Sequence, residues 1–358
     1  MNRLTAIGLA SLAAYGLLLA SKYTGLVSAA GEERVPAPAT VAEVEGDVPQ
    51  VQPPAPAARP TFLATLPAPI PRAQPIRASA VAAEFRATRD LRAFADALAS
   101  RQGSLNGDER YHLAKALEEC QFATSVNEDL AAYSAKQKRA FLSGLPAGDA
   151  LNEKRIAAYE AFDNTTRCLG FQGSKVSPKD IDALYRAAAQ QGDARAQARI
   201  VTAELGKNLG KSNDTMQPTQ TQMDDYQVLI GLLESRDPEA MLYVGQFLAQ
   251  NAVAQNLRVG PNGEVPEPSA FLGAFSLVAC DVGQDCTSVH RDLQQACAYG
   301  GYCNASGFEE LYQNFLASPW AYTQALRYRG LIHTAITDRN YGLIGLTPKL
   351  ARRDALPE

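Results

Sequence analysis

Residues 183–205 read ALYRAAAQQGDARAQARIVTAEL, and this stretch decides the fold class. Just upstream and into it, Ile181, Leu184, Tyr185 and Ala188 fall at i, i+3, i+4 and i+7, the spacing of a helix with one apolar stripe. Gly192 has no Cβ and can take the left-handed conformation that ends such a helix. Asp193 then offers a carboxylate to the first free amides of a second helix. The small side chains of Ala187, Ala188, Ala189, Ala196 and Ala198 let the two helices approach closely. The pattern is a helical hairpin.

The same texture extends in both directions. From Val81 onward Ala, Leu, Gln, Glu and Arg dominate, and the periodicity predicts helices over 81–101, 107–123, 134–143, 149–167, 193–207, 222–235, 238–250, 268–280, 288–298 and 319–338. Phe308, Leu311, Tyr312 and Phe315 give a further buried stripe. Ser177-Pro178, Asp237-Pro238 and Ser318-Pro319 each place a capping oxygen before a proline at the first helical position. Asp180 stands three residues after Ser177, in the manner of a capping box. No alternating run bounded by turns occurs, so the expected fold class is all-α with strand content close to nil.

A weaker echo of the hairpin comes forty-four residues later: in Ser235-Arg236-Asp237-Pro238-Glu239-Ala240, Asp237 aligns with Asp193 and Ala240 with Ala196, without the turn glycine. The Gly192-Asp193 turn, with its flanking alanines, resembles the Sel-one-like repeat, a relative of the tetratricopeptide repeat. The resemblance covers about seventy residues, one unit well and one poorly. It implies hairpins stacked on their neighbours, an α-solenoid or compact stack whose concave face binds protein. A non-repeating helical bundle is the alternative.

The first eighty residues read differently. After Met1, Asn2 and Arg3, residues 4–20 (LTAIGLASLAAYGLLLA) form an apolar run that makes a helix about 26 Å long, at the short end of what spans a bilayer. Residues 1–30 are therefore read as a signal anchor or a signal peptide. Val27-Ser28-Ala29 offers a cleavage site, but the length of the run and the charge on Arg3 favour a retained inner-membrane anchor. Either outcome exports the rest of the chain to the periplasm. No cysteine stands near the leader, which excludes a lipid-modified one. Residues 31–80 are a Pro/Ala-rich linker with eleven of the twenty-one prolines between Pro36 and Pro75, expected to stay extended and solvated. Residues 62–66 (FLATL) are its one apolar patch. The helical domain is assigned to 81–340 and a tail to 341–358.

Six cysteines lie beyond the linker: Cys120, Cys168, Cys280, Cys286, Cys297 and Cys303. An even number behind an export signal reads as three disulfides. Cys120 and Cys168 each close a predicted helix, and a bond between them ties two helices across a long loop. C-DVGQD-C and C-AYGGY-C each bracket a glycine-containing turn, so Cys280–Cys286 and Cys297–Cys303 are expected; Cys280–Cys297 with Cys286–Cys303 is the rival pairing. Zinc fits the five-residue gaps poorly, with only His290 near. No Cys-x-x-Cys occurs, and no pattern calls for a cofactor.

The function classes narrow accordingly. A net charge of −4 and a pI near 5.6 supply no basic field for nucleic acid. GKNLGKS, residues 206–212, has three residues between its glycines where a phosphate-binding loop needs four, and reads as an exposed polar loop. His112, His290 and His333 show no metal or triad spacing. YGLIGLTPKLARR near the C-terminus resembles the Gly-Leu-Met-Gln-x-x-Pro segment of lytic transglycosylases, whose general acid would here fall to Glu309 or Glu310. Ile344 and Gly345 depart from that pattern, the Glu-Ser pair is absent, and the thirteen residues after Gly345 do not hold a catalytic domain. No catalytic residue is assigned. The expected function is a periplasmic protein-interaction or scaffold module for envelope proteins, tethered to the membrane by its N-terminal helix. Tyr226, Tyr243, Tyr299, Tyr302 and Trp320 are candidates to line its binding face. A peptidoglycan-active enzyme and a purely structural envelope protein are the alternatives.

Overall fold

The computed structural model describes residues 78–126, 129–209, 220–253, 255–287 and 291–346, which belong to one unit, Pro67–Glu358. The other unit, Met1–Leu66, lies outside these residues, and with it the apolar leader and the FLATL patch; His290 does too. No helix among the described residues is long and apolar enough to cross a membrane.

The helices are α1 (Ala80–Ala87), α2 (Leu91–Ala99), α3 (Gly107–Glu119), α4 (Leu130–Ser143), α5 (Asn152–Phe162), α6 (Asn164–Arg167), α7 (Pro178–Gln190), α8 (Ala194–Leu209), α9 (Gln220–Glu234), α10 (Pro238–Gln250), α11 (Pro268–Asp281), α12 (Arg291–Gly300), α13 (Phe308–Leu311) and α14 (Pro319–Thr337). Among the described residues, β structure is confined to two isolated bridges, Val259 with Glu264 and Thr287 with Gly307. The fold is all-α.

The three Pro-preceded start signals cap helices as read. Ser177, Asp237 and Ser318 accept from the amides of Asp180, Ala240 and Ala321 at 3.2, 2.8 and 3.2 Å. At the α7–α8 turn Gly192 has φ +85°, the amides of Gly192 and Asp193 bond back to Ala189 and Ala188, and the Asp193 carboxylate takes the Ala196 amide at 3.0 Å. The α9–α10 turn makes the same bend without glycine: Arg236 sits there with φ +54°. A left-handed L-residue is strained by about 1–2 kcal/mol, partly offset by the entropy a glycine loses on folding. Arg236→Gly is therefore expected to stabilise the protein by about 0.5–1 kcal/mol in urea unfolding; a loss of stability would contradict this account of the turn.

Packing runs in a chain from α3 to α7, α8, α10, α11 and α14, each helix lying on the next, with α1 and α2 covering α3. Ala188, Ala196, Ala198 and Ala240 are fully buried at these close approaches. Helix α11 is the innermost: almost every residue from Ala270 to Asp281 is buried, as its sequence, apolar on all sides, requires. It meets α10 so closely that a Cβ on Gly245 would lie 2.3 Å from the Phe275 ring.

Several expectations need correction. The predicted helix over 81–101 is two helices, because the Asp90 carboxylate caps Arg92 and Ala93. The helix over 149–167 likewise breaks at Asp163, whose carboxylate takes the Thr165 amide at 2.9 Å. Residues 206–209 of the glycine-lysine segment continue α8; the rest of that segment lies outside the described residues. The domain does not end at residue 340. Tyr341, Ile344 and Leu346 are buried, and the Gly260 amide bonds to the Leu343 carbonyl at 2.8 Å, so 341–346 belong to the fold. Finally, α4–α6 do not lie in the chain of stacked helices. Helix α5 crosses to α12, where Arg155 donates to the Ala298 carbonyl at 2.9 Å, and Arg291 pairs with Glu119 at 3.3 Å.

Candidate functional site

All six cysteines are paired: Cys120 with Cys168, Cys280 with Cys286, and Cys297 with Cys303. The first bond lies in the core formed by α1–α3, among Leu91, Phe94, Leu113, Leu130 and Phe171. The other two clip the ends of α11 and α12. No group of three or more His, Cys, Asp or Glu among the described residues is placed to hold a metal.

Helix α3 carries a ladder of charge that sequence reading missed. Tyr111 lies under the Arg195 guanidinium at 4.2 Å and donates its hydroxyl to Glu239 at 2.7 Å. Tyr185 repeats the arrangement, under Arg199 at 4.0 Å and bonded to Glu118 at 2.7 Å. Lys115 joins Glu239 at 2.5 Å. Burial would raise the Glu239 carboxyl, but Lys115, Tyr111 and Arg195 outweigh it and hold its pKa at about 2. Burial also pushes the Tyr243 phenol up to about 12, with Glu239 adding to it. Every member has its partner in another helix, so the network fixes the register of α3, α7, α8 and α10 rather than offering a reaction centre. Its partners are separated by up to 128 residues in sequence. The one readable trace was the i, i+4 pair Arg195 and Arg199 on α8, next to the hairpin turn.

A second network sits at the other end. Asp281, 1% exposed, receives Arg329 through both nitrogens of the fork and His333 at 2.8 Å. Arg329 also reaches Glu309 at 3.2 Å.

Next to it opens a cleft of about 530 Å³, lined by Gln284, Asp285, Cys286, Thr287, Ser306, Phe308, Glu309, Glu310 and Gln313. It holds both carboxylates considered as a general acid, and neither has the required surroundings. Glu309 takes bonds from Arg329 and Tyr322. Glu310 lies at the surface, and hydrogen bonds from the Ser306 hydroxyl and amide lower its pKa, whereas proton donation to a glycosidic oxygen needs it raised. What the cleft does present is acidity, and exposed rings follow its lining residues in the chain without lining it. The bond from the Ala317 amide to the Tyr312 carbonyl makes residues 312–316 a π turn, and the added residue swings Phe315 out of the predicted buried stripe. Phe315 is 43% exposed and stacks on Tyr302 at 4.8 Å; Trp320, at the start of α14, is 60% exposed.

No protein-family model matches this chain, and no curated protein or solved structure matches it.

Of the five aromatics considered for a binding face, Trp320 and Tyr299 are exposed. Tyr302 is half-buried beneath Phe315, and Tyr226 is half-buried with its hydroxyl on Gln255 at 3.1 Å. Tyr243 is half-buried among the charges around Glu239.

Proposed function

We propose that this chain is an exported helical-hairpin module of the Sel-one-like kind, tethered by residues 4–20 to the inner membrane, that holds protein partners in the periplasm. The observation that carries the reading is the acidic cleft at Asp285, Glu309 and Glu310 with two exposed rings close to its residues in the chain: Phe315, two residues beyond the lining Gln313, and Trp320, two residues before the Tyr322 that bonds Glu309. Exposed aromatic anchors supply contact area at small conformational cost, and carboxylates close to them in the chain select a basic segment of a partner protein. Three disulfides suit an oxidising compartment. In this reading the turns at Gly192-Asp193 and Asp237-Pro238 build the scaffold, and the contact is made at its C-terminal end.

Trp320 is the one tryptophan of the chain and a direct handle on the site. With Trp320→p-benzoylphenylalanine in the full exported chain, irradiation of cells is expected to give protein adducts, and Glu310→Lys to reduce their yield. Sugar fragments without protein, or no adduct at all, would overturn the reading.

A further inference from the structure

The three disulfides sit in three different surroundings. Cys120 and Cys168 are fully buried, and a reagent reaches them only when the core opens. Cys280 is buried, and its partner Cys286 opens onto the cleft lined by Asp285, Glu309 and Glu310, whose wall holds no lysine or arginine. Cys297 and Cys303 are both half-buried, and their surroundings are cationic. Lys154, exposed on α5, donates to the Asn304 side chain at 3.2 Å, next to Cys303. Arg155 donates to the carbonyls of Ala298 and Tyr299, next to Cys297, at 2.9 and 3.3 Å, with Asp149 at 3.8 Å as its counter-charge.

Disulfide exchange begins with a thiolate. One anion must reach a sulfur and a second must leave from the other, so access and nearby positive charge speed the reaction and carboxylates slow it. Only the Cys297–Cys303 pair has both sulfurs within reach and cations beside them.

We propose that Cys297–Cys303 is a thiol–disulfide exchange site opened by a dithiol, and that its opening loosens the hold of α5 on the end of α12. One thiolate of the dithiol attacks Cys303 Sγ, the S–S bond breaks, and Cys297 leaves with the electron pair and takes a proton from water. Its S–H then finds the Lys154 carbonyl 3.6 Å away. The second thiolate of the dithiol attacks the mixed disulfide, so the dithiol ends oxidised to its own disulfide and Cys303 ends as a thiol, with the Cys297 carbonyl at 3.4 Å as acceptor. The two electrons gained by the pair are those the dithiol loses. What the bond restrains is residues 298–303. Tyr299 packs there on Phe141, Tyr159 and Phe162 at 5.7, 6.2 and 5.8 Å, and the carbonyls of 298 and 299 are the acceptors that hold Arg155. With the bond open, Gly300 and Gly301 let this turn move. The site works without the partner contact, because neither the cleft nor Trp320 takes part.

The test compares glutathione, an anionic thiol, with cysteamine, a cationic one, on the folded full-length oxidised chain, trapping freed thiols with a maleimide and assigning them by peptide mass. With glutathione, Cys297 and Cys303 are expected to be labelled about tenfold faster than Cys280 and Cys286, and the lead should shrink with cysteamine. Cys120 and Cys168 should stay unlabelled. Lys154→Glu, a change at an exposed side chain, should slow the glutathione reaction at Cys297–Cys303 about threefold. After brief treatment with dithiothreitol and alkylation of this pair, the chain should keep its helical circular dichroism and be cut by chymotrypsin first after Tyr299 or Tyr302. Labelling of Cys280 and Cys286 by glutathione as early as Cys297 and Cys303, an unchanged rate in Lys154→Glu, or no gain in cleavage at 299–302 would each overturn the proposal.

Discussion

Cys120→Ala with Cys168→Ala is expected to lower the unfolding free energy by about 4 kcal/mol and the melting temperature by roughly 10 °C. The reason is mostly in the unfolded chain. The bond joins residues 48 apart in sequence, and releasing a loop of that length restores far more conformational freedom than opening either short clip, whose cysteines are 6 apart. Each short clip should contribute about 2 kcal/mol in the same chain-entropy model. Both sulfurs of the long bridge are also fully buried against the α1–α3 core, so alanine leaves a small cavity as well. Urea titrations of the three paired-alanine variants under non-reducing conditions give the ordering. A long-bridge variant no less stable than the short-clip variants would refute it.

The second large effect is electrostatic. Asp281 sits at the end of the most buried helix, where desolvation alone would raise its carboxyl, yet His333 and Arg329 hold it below the usual carboxylate range. Asp281→Ala leaves the Arg329 guanidinium buried with only Glu309 for a counter-charge, and breaking a buried pair in this way destabilises by about 3–5 kcal/mol. Asp281→Asn keeps the shape and part of the hydrogen bonding, and should lose less. The direction of the shift sets the pH dependence. A carboxylate whose folded pKa is depressed adds stability that is present above its unfolded value near 4 and disappears as the pH falls toward the folded one. Asp281, Asp108 and Glu239 all belong to this class. The urea midpoint of the parent should therefore fall steeply below about pH 4, and that of Asp281→Ala less steeply. Parallel acid limbs in the two proteins would show that Asp281 is not a paired carboxylate in the folded state.

What could be read in the sequence was local. A Ser or Asp before proline announces a helix start whatever surrounds it, and cysteines at the ends of consecutive helices are close for the same reason the helices are. The Gly192-Asp193 turn was legible because it needs one residue without a side chain and one with a short carboxylate. Its counterpart at Arg236 was half hidden, since a non-glycine residue carries the same bend under strain. The networks were not legible. Asp281 reads as a polar end to an apolar run, and nothing near it in the chain announces Arg329. The Tyr299 patch draws on residues 141, 159, 162 and 299, which only the crossing of α5 to α12 brings together. The exposure of Phe315 escaped because a helical period was extended through a π turn.

That crossing also changes how the molecule comes apart. In an array where every hairpin touches only its neighbours, terminal units can peel away singly and the middle survives them. Here α5, early in the chain, is clasped to α12, late in it, by Arg155 and its acceptors. Fraying from either terminus stops at the clasp, and past it both halves must let go at once.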